Sequence, residues 1–307
     1  MAEQGRPPSW PQRGTGLTTT EPKLPAGVAA DASSKINVEL AYEVTSPAHF
    51  LLNLQVAQWE GQQVMSESLR VDPPVSMHGF YDPRTGNRFV RFDVPPGPLA
   101  VSYAASVRRE PLLPPLAELD GLAEAPVNQV PDDVLHCLLA TRYCESDLLG
   151  RAAQQLFGSL PPGIGRVQAI CDWIHESIAY APGSTDSNTT AREVFVQRAG
   201  VCRDFAHLGI TLCRALNIPA RLVVGYVYFE EPPQDFHAVF EAWLGQRWVL
   251  FDATRMAPVD RLVRVGTGRD AKEVAFSTIF GAVTMSSMRI GVSEQQDSDA
   301  LGVLSKQ

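Results

Sequence analysis

The spacing of apolar residues changes twice along this chain, and few folds accommodate both changes. Ile36, Val38, Leu40, Tyr42 and Val44 alternate with Asn37, Glu39, Ala41 and Glu43, the two-residue repeat of a strand with one buried face. Leu52, Leu54 and Val56 repeat it. After the turn-forming Asp82-Pro83-Arg84-Thr85-Gly86-Asn87, Phe89 to Val94 and Leu99 to Val107 carry it further. Beyond Pro131 the spacing becomes three or four residues. Asp132 or Asp133 can cap a helix bearing Val134, Leu135, Leu138 and Leu139. Leu148, Leu149, Ala152, Leu156 and Phe157 mark a second helix, and Val167, Ile170, Trp173, Ile174 and Ile178 one face of a third. A polar loop from Gly183 to Thr190 leads into a short helix ending near Gly200. From Pro219 the strand pattern returns. Strands, helices, then strands again predict an α+β chain.

Five segments follow from this pattern. Residues 1–34, rich in Pro, Gly, Thr and Gln, read as a disordered arm, and 293–307 as a disordered tail. Residues 35–110 read as an N-terminal antiparallel β domain of sandwich type. Residues 111–130, opened by Pro111, Pro114 and Pro115, read as a linker, and 131–292 as the unit that carries the chemistry. A chain of 307 residues is long enough for two such cores.

Charge and cysteine usage narrow the function. Lys and Arg number 26 against 34 Asp and Glu, a net charge of −8 without the basic excess of a nucleic-acid or anionic-membrane binder. Neither partner is expected. The five cysteines are Cys137, Cys144, Cys171, Cys202 and Cys213, an odd set without a Cys-x-x-Cys pair or zinc-like spacing. No metal and no cofactor are expected, and no Asp-x-Asp-x-Asp-Gly calcium loop is present. The start, MAEQGRPPSWPQRGTG, has no apolar core of a secretory signal, and no apolar run approaches the roughly 18 residues of a membrane span. The expectation is a reduced, cytoplasmic protein. There, a thiol is either a small packing group or a nucleophile.

Position singles out one thiol. Gly200-Val201-Cys202-Arg203-Asp204 opens a helix whose stripe is Phe205, Leu208, Leu212, Cys213 and Leu216. At a helix start, unpaired N–H groups and the positive dipole end favour thiolate over thiol. Packing alone also accounts for a lone cysteine there. Downstream, two strand candidates, Phe236 to Leu244 and Arg247 to Thr254, flank Gly245-Gln246, a two-residue hairpin loop. That loop sets Leu244 opposite Arg247 and His237 opposite Thr254, so Asp252 becomes the diagonal neighbour of His237 on one sheet face. A base oriented by a carboxylate, with a thiol at a helix start, makes a nucleophilic triad. The Cys202 N–H is a natural oxyanion donor, and Tyr180 a weaker candidate for a second.

These residues resemble the transglutaminase-like superfamily in its bacterial branch. The resemblance rests on Gly200 to Asp204, Leu216-Asn217-Ile218-Pro219-Ala220-Arg221, Gly225-Tyr226, His237 and Asp252-Ala253-Thr254, extended by Gly268-Arg269-Asp270-Ala271 and Phe280-Gly281. It is dense over about residues 165–285. It implies a papain-like transglutaminase core, helices packed on an antiparallel sheet, with Cys202 as nucleophile, His237 as base and Asp252 as its orienter. The implied activity is acyl transfer through a thioester on an amide bond of a peptide or protein, hydrolysis being favoured over cross-linking. A true protein-glutamine transglutaminase, a non-catalytic scaffold and a redox-sensing thiol are the rival readings.

Other features take bland readings. His175-Glu176 lacks the His-Glu-x-x-His zinc pattern, His207 suits helix packing, and Trp243 opposite Trp248 suits hairpin stabilisation. No Gly-x-Ser-x-Gly is present.

Overall fold

The alternation from Ile36 builds β1 (Ala32–Val44), followed by β2 (Ala48–Leu52), β3 (Gln62–Asp72), β4 (His78–Tyr81), β5 (Arg88–Val94) and β6 (Gly97–Arg109). The structure, a computed structural model, describes residues 32–59, 61–109 and 122–296. The expectations for residues 1–31, 110–121 and 297–307 therefore lie outside the described residues. Next come α1 (Ser146–Phe157), α2 (Ile164–Ser177), β7 (Ala179–Tyr180), α3 (Ala191–Gln197), β8 (Ala199–Gly200) and α4 (Cys202–Ala215). The chain ends in β9 (Ala220–Tyr226), β10 (His237–Leu244), β11 (Arg247–Phe251), β12 (Val263–Gly268), β13 (Ser277–Phe280) and β14 (Val283–Gln296). The class is α+β, with an N-terminal β domain.

Two four-stranded sheets form that domain, ordered β14-β1-β6-β3 and β13-β2-β5-β4. Their inward residues, among them Ile36, Val38, Phe50, Leu52, Phe92 and Val101, share one buried core. The last two strands correct the sequence reading. Residues 277–292 were expected in the second unit and 293 onward in a tail, yet β13 pairs with β2, and β14 pairs with β1 from Val44↔Val283 to Ala32↔Gln296. Ile290 and Val292 close the β-domain core. The physical reason is the edge of β1: without β14 its backbone groups lack a second partner.

The helix expected behind Asp132 is absent. A single 3-10 turn, Leu135–Leu138, replaces it. The backbone turns extended at Leu139, whose carbonyl accepts from the buried Arg214 guanidinium at 3.0 Å. That anchor outweighs the weak drive of a short segment to nucleate a helix. The described part of the expected linker is also fixed: Glu124 pairs with Arg166 at 2.6 Å, and the Leu122 carbonyl accepts the Ile164 N–H at 2.9 Å.

The second unit packs α4 on a sheet ordered β11-β10-β9-β12, with α1, α2 and α3 around the helix. Gly245 and Gln246, with φ of 54° and 63°, form the two-residue turn between β10 and β11. The expected register is observed from Leu244↔Arg247 through Trp243↔Trp248 to Phe240↔Phe251. The two indoles pack edge to face with centroids 5.3 Å apart. Glu241, fully buried on β10, binds Arg221 of β9 at 2.8 Å and Arg264 of β12, cross-linking three strands. Tyr226, Val263 and Val265 reach into the β-domain core, so the two units share apolar contacts.

Candidate active site

The thiol comes first. Cys202 is the first residue of α4 and the one cysteine of the five that is half-exposed; all five are free. Burial pushes the Cys137 and Cys144 thiols up to about 11 and about 12, and those of Cys171 and Cys213 well up too. A thiol so raised stays protonated and inert. The sulfur of Cys202 faces the carbonyl of Phe236 at 3.7 Å, a weak S–H contact with the residue just before His237.

His237 and Asp252 meet where the hairpin register puts them. His237 opens β10 and is 2% exposed; its Nε2 lies 2.9 Å from Oδ2 of Asp252. One detail differs from the sequence reading, since β11 was expected to run to Thr254 and stops at Phe251. Oδ1 of Asp252 accepts both the Thr254 N–H at 2.8 Å and its hydroxyl at 2.7 Å, turning the chain out of the ladder. Arg255 completes the turn with φ of 57°. His237 thus has no ladder partner opposite it on β11, while the diagonal His–Asp relation survives.

The electrostatics follow from these contacts. Burial alone would lower the His237 pKa, but the Asp252 carboxylate and the Cys202 thiol outweigh it and lift it to about 10. Burial would raise the Asp252 pKa, and its bonds from His237 and Thr254 hold it below the usual carboxylate range instead. Nδ1 of His237 is buried without a hydrogen-bond partner, and Cys202 is among the groups that raise the pKa of this ring. With Nε2 committed to Asp252, Nδ1 is the nitrogen left for the thiol. The Phe229 ring packs 5.8 Å from the imidazole.

Tyr180 joins the site through a two-residue pairing. β7 and β8 run parallel with Tyr180 beside Gly200, and the Ala181 N–H donates to the Gly200 carbonyl at 2.9 Å. The Tyr180 ring packs on Phe205 of α4 with centroids 5.8 Å apart. Burial, and then Cys202, raise its pKa, so it remains a donor. His207, by contrast, is fully buried, stacked on Tyr143 at 5.2 Å, and its Nε2 accepts the Ala271 N–H at 3.1 Å. Burial lowers its pKa to about 4 and keeps it neutral, a packing group as expected. Among the described residues, no group of three or more His, Cys, Asp or Glu is placed to hold a metal ion.

Comparisons with known proteins agree with this architecture. Residues 151–253 match the transglutaminase-like superfamily, and residues 33–113 the N-terminal domain of bacterial transglutaminase. A solved protein from Cytophaga hutchinsonii, described as a candidate cysteine protease, is 39% identical, with a TM-score of 0.81 over 87% of this chain and 91% of that one. The chain belongs to the transglutaminase-like superfamily. This transglutaminase-like chain is also similar to uncharacterized mycobacterial proteins. One from Mycobacterium leprae is 32% identical over 119 residues, 36% of this chain and 42% of the relative. One from Mycobacterium tuberculosis is 36% identical over 127 residues, 37% of this chain and 40% of the relative. The matched stretch thus spans about two fifths of those relatives. Among the described residues, no helix is long and apolar enough to cross a membrane.

Sequence reasoning overlooked two groups in this transglutaminase-like site. Phe236 supplies a backbone carbonyl to the thiol, for which no side-chain signal exists. Asp204 lies at the third position of α4, where its carboxylate bonds back to the Val201 N–H at 2.9 Å. The three-residue spacing of a helix-capping acid was the available clue.

Proposed function

We propose that this transglutaminase-like protein is a thiol-dependent acyl-transfer enzyme acting on amide bonds of peptides or proteins. One observation carries the reading: the only half-exposed thiol stands at a helix start, 3.7 Å from the carbonyl of Phe236, the residue just before a buried imidazole whose Nε2 is held by a buried carboxylate. Cys202 attacks the amide carbonyl as thiolate, paired with the His237 imidazolium that a pKa of about 10 favours at neutral pH. The developing oxyanion takes the Cys202 N–H and the Tyr180 hydroxyl. His237 gives its Nδ1 proton to the leaving amine, the C–N bond breaks, and a thioester remains. His237 then takes a proton from the incoming nucleophile. Asp252 keeps the ring oriented and stabilises its charge throughout.

Water as that nucleophile gives hydrolysis, an amine gives cross-linking. Hydrolysis is favoured by the 39% identity to the Cytophaga hutchinsonii protein described as a candidate cysteine protease. The five free thiols suit a cytoplasmic setting. The test is incubation with a library of Gln-containing peptides, with and without monodansylcadaverine. Peptide cleavage, ammonia release and amine incorporation are followed separately, with Cys202→Ala as control. Cleavage or ammonia release that needs Cys202 is the expected result. Incorporation exceeding hydrolysis would make the protein a cross-linker, and no turnover in any channel would leave a scaffold.

A further inference from the structure

The Asp204 carboxylate is 1% exposed and saturated with donors. Oδ2 accepts from the Val201 N–H at 2.9 Å and the Thr185 hydroxyl at 2.5 Å. Oδ1 accepts from Nε and Nη2 of Arg203 at 3.1 and 2.8 Å. The same Nη2 donates to the Asp186 carbonyl at 2.7 Å. One buried acid therefore ties the loop after β7 to the turn that enters α4.

That turn sets the direction of the Cys202 N–H. The carbonyl of Val201 accepts from the N–H groups of Asp204 at 2.8 Å and Phe205 at 3.0 Å. This carbonyl and the Cys202 N–H belong to one planar peptide and point opposite ways. The N–H accordingly points away from the helix. Val201 has no side-chain oxygen to cap the helix, and Asp204 holds the other edge of the residue through its N–H. Room for the acid comes from Gly200: a Cβ there would sit 2.8 Å from Asp204 Cβ and 3.2 Å from its Oδ2. Gly200 and Asp204 thus form one steric unit.

We infer that Asp204 is a positioning residue that fixes the Val201–Cys202 peptide, and with it the oxyanion-binding N–H, against the loop carrying Thr185 and Asp186. The inference rests on the proposed nucleophilic role of Cys202. It separates two reactions of one thiol. In acylation by p-nitrophenyl acetate, sulfur bonds to the ester carbonyl carbon, an oxyanion forms, and the C–O bond breaks to release p-nitrophenolate. In alkylation by iodoacetamide, sulfur displaces iodide at a saturated carbon and no oxyanion forms. Losing the N–H alignment slows the first reaction alone.

The experiment measures both rates on the full chain for wild type, Cys202→Ala, Asp204→Asn and Thr185→Val, with thermal melts of each. Asp204→Asn is expected to slow the p-nitrophenolate burst by about tenfold or more while alkylation stays within about threefold of wild type. Thr185→Val, which removes one donor and leaves the charge, is expected to slow the burst by about two- to fivefold. Equal losses in both reactions, or no loss in the burst, would overturn the role of Asp204 while leaving the nucleophile in place. A wild-type burst no larger than that of Cys202→Ala would instead overturn the nucleophile reading, and this inference with it.

Discussion

His237 Nε2 and Asp252 Oδ2 lie 2.9 Å apart although β11 leaves the ladder at Phe251, one residue before the carboxylate. The pair is held from both sides: β10 pairs with β9 at His237↔Gly225, and the Thr254 turn fixes the acid. Geometry therefore does not depend on the last rungs of the hairpin.

A pH dependence follows from that pair. The His237 pKa is raised to about 10 from an ordinary 6.5, so its contribution to stability is fully present below about 6.5 and is lost as pH rises toward 10. Asp252 is lowered, so its contribution is present above the ordinary carboxylate range and is lost in acid. The gap in melting temperature between wild type and His237→Gln should shrink between about pH 6.5 and 10. An NMR titration of the imidazole should show a clear drop in its pKa in Asp252→Ala. An unchanged titration would show that the carboxylate does not hold the ring.

Gly200→Ala tests the packing behind Cys202. The new methyl would press on Asp204 Cβ at 2.8 Å, a contact that no flexible side-chain end relieves. A loss of about 1–3 kcal/mol in urea unfolding is expected, as for an overpacked core. Stability within about 0.5 kcal/mol of wild type would mean that the turn adjusts freely.

Arg214 fastens the second unit internally. Its buried guanidinium donates to the carbonyls of Ala220, Leu139 and Arg269 and to the Thr141 hydroxyl. Arg214→Met should cost about 3 kcal/mol or more in chemical denaturation, because several buried acceptors lose their donor at once. A cost below about 1 kcal/mol would mean that water replaces it.

Deleting residues 283–307 should unfold the N-terminal β domain, since β14 covers β1 and contributes Ile290 and Val292 to the core. Circular dichroism and thermal melting of the truncated chain provide the check. A cooperative melt near that of wild type would contradict the assignment of β14 to this domain.

These elements also show what sequence carries. The His237–Asp252 relation was readable because a two-residue loop fixes a short-range register, and α4 because its stripe continues from Phe205 to Leu216. β14 was not readable as part of the first sheet, because its partner β1 lies some 250 residues earlier and pairing at that separation leaves no local mark. β7 and β8, of two residues each, are too short to display a period, yet they set Tyr180 beside Gly200, two residues before Cys202. Asp204 was visible as a residue, but its role depends on the space left by Gly200.

The central claim is that one thiol of five is a nucleophile served by His237. Brief treatment with iodoacetamide near neutral pH, followed by intact-mass and peptide mass spectrometry, tests it most directly. The expected result is a single adduct on Cys202, formed at least about tenfold more slowly in His237→Ala, with the four buried cysteines unlabelled. Labelling spread over several cysteines, or a rate on Cys202 indifferent to His237, would contradict the claim.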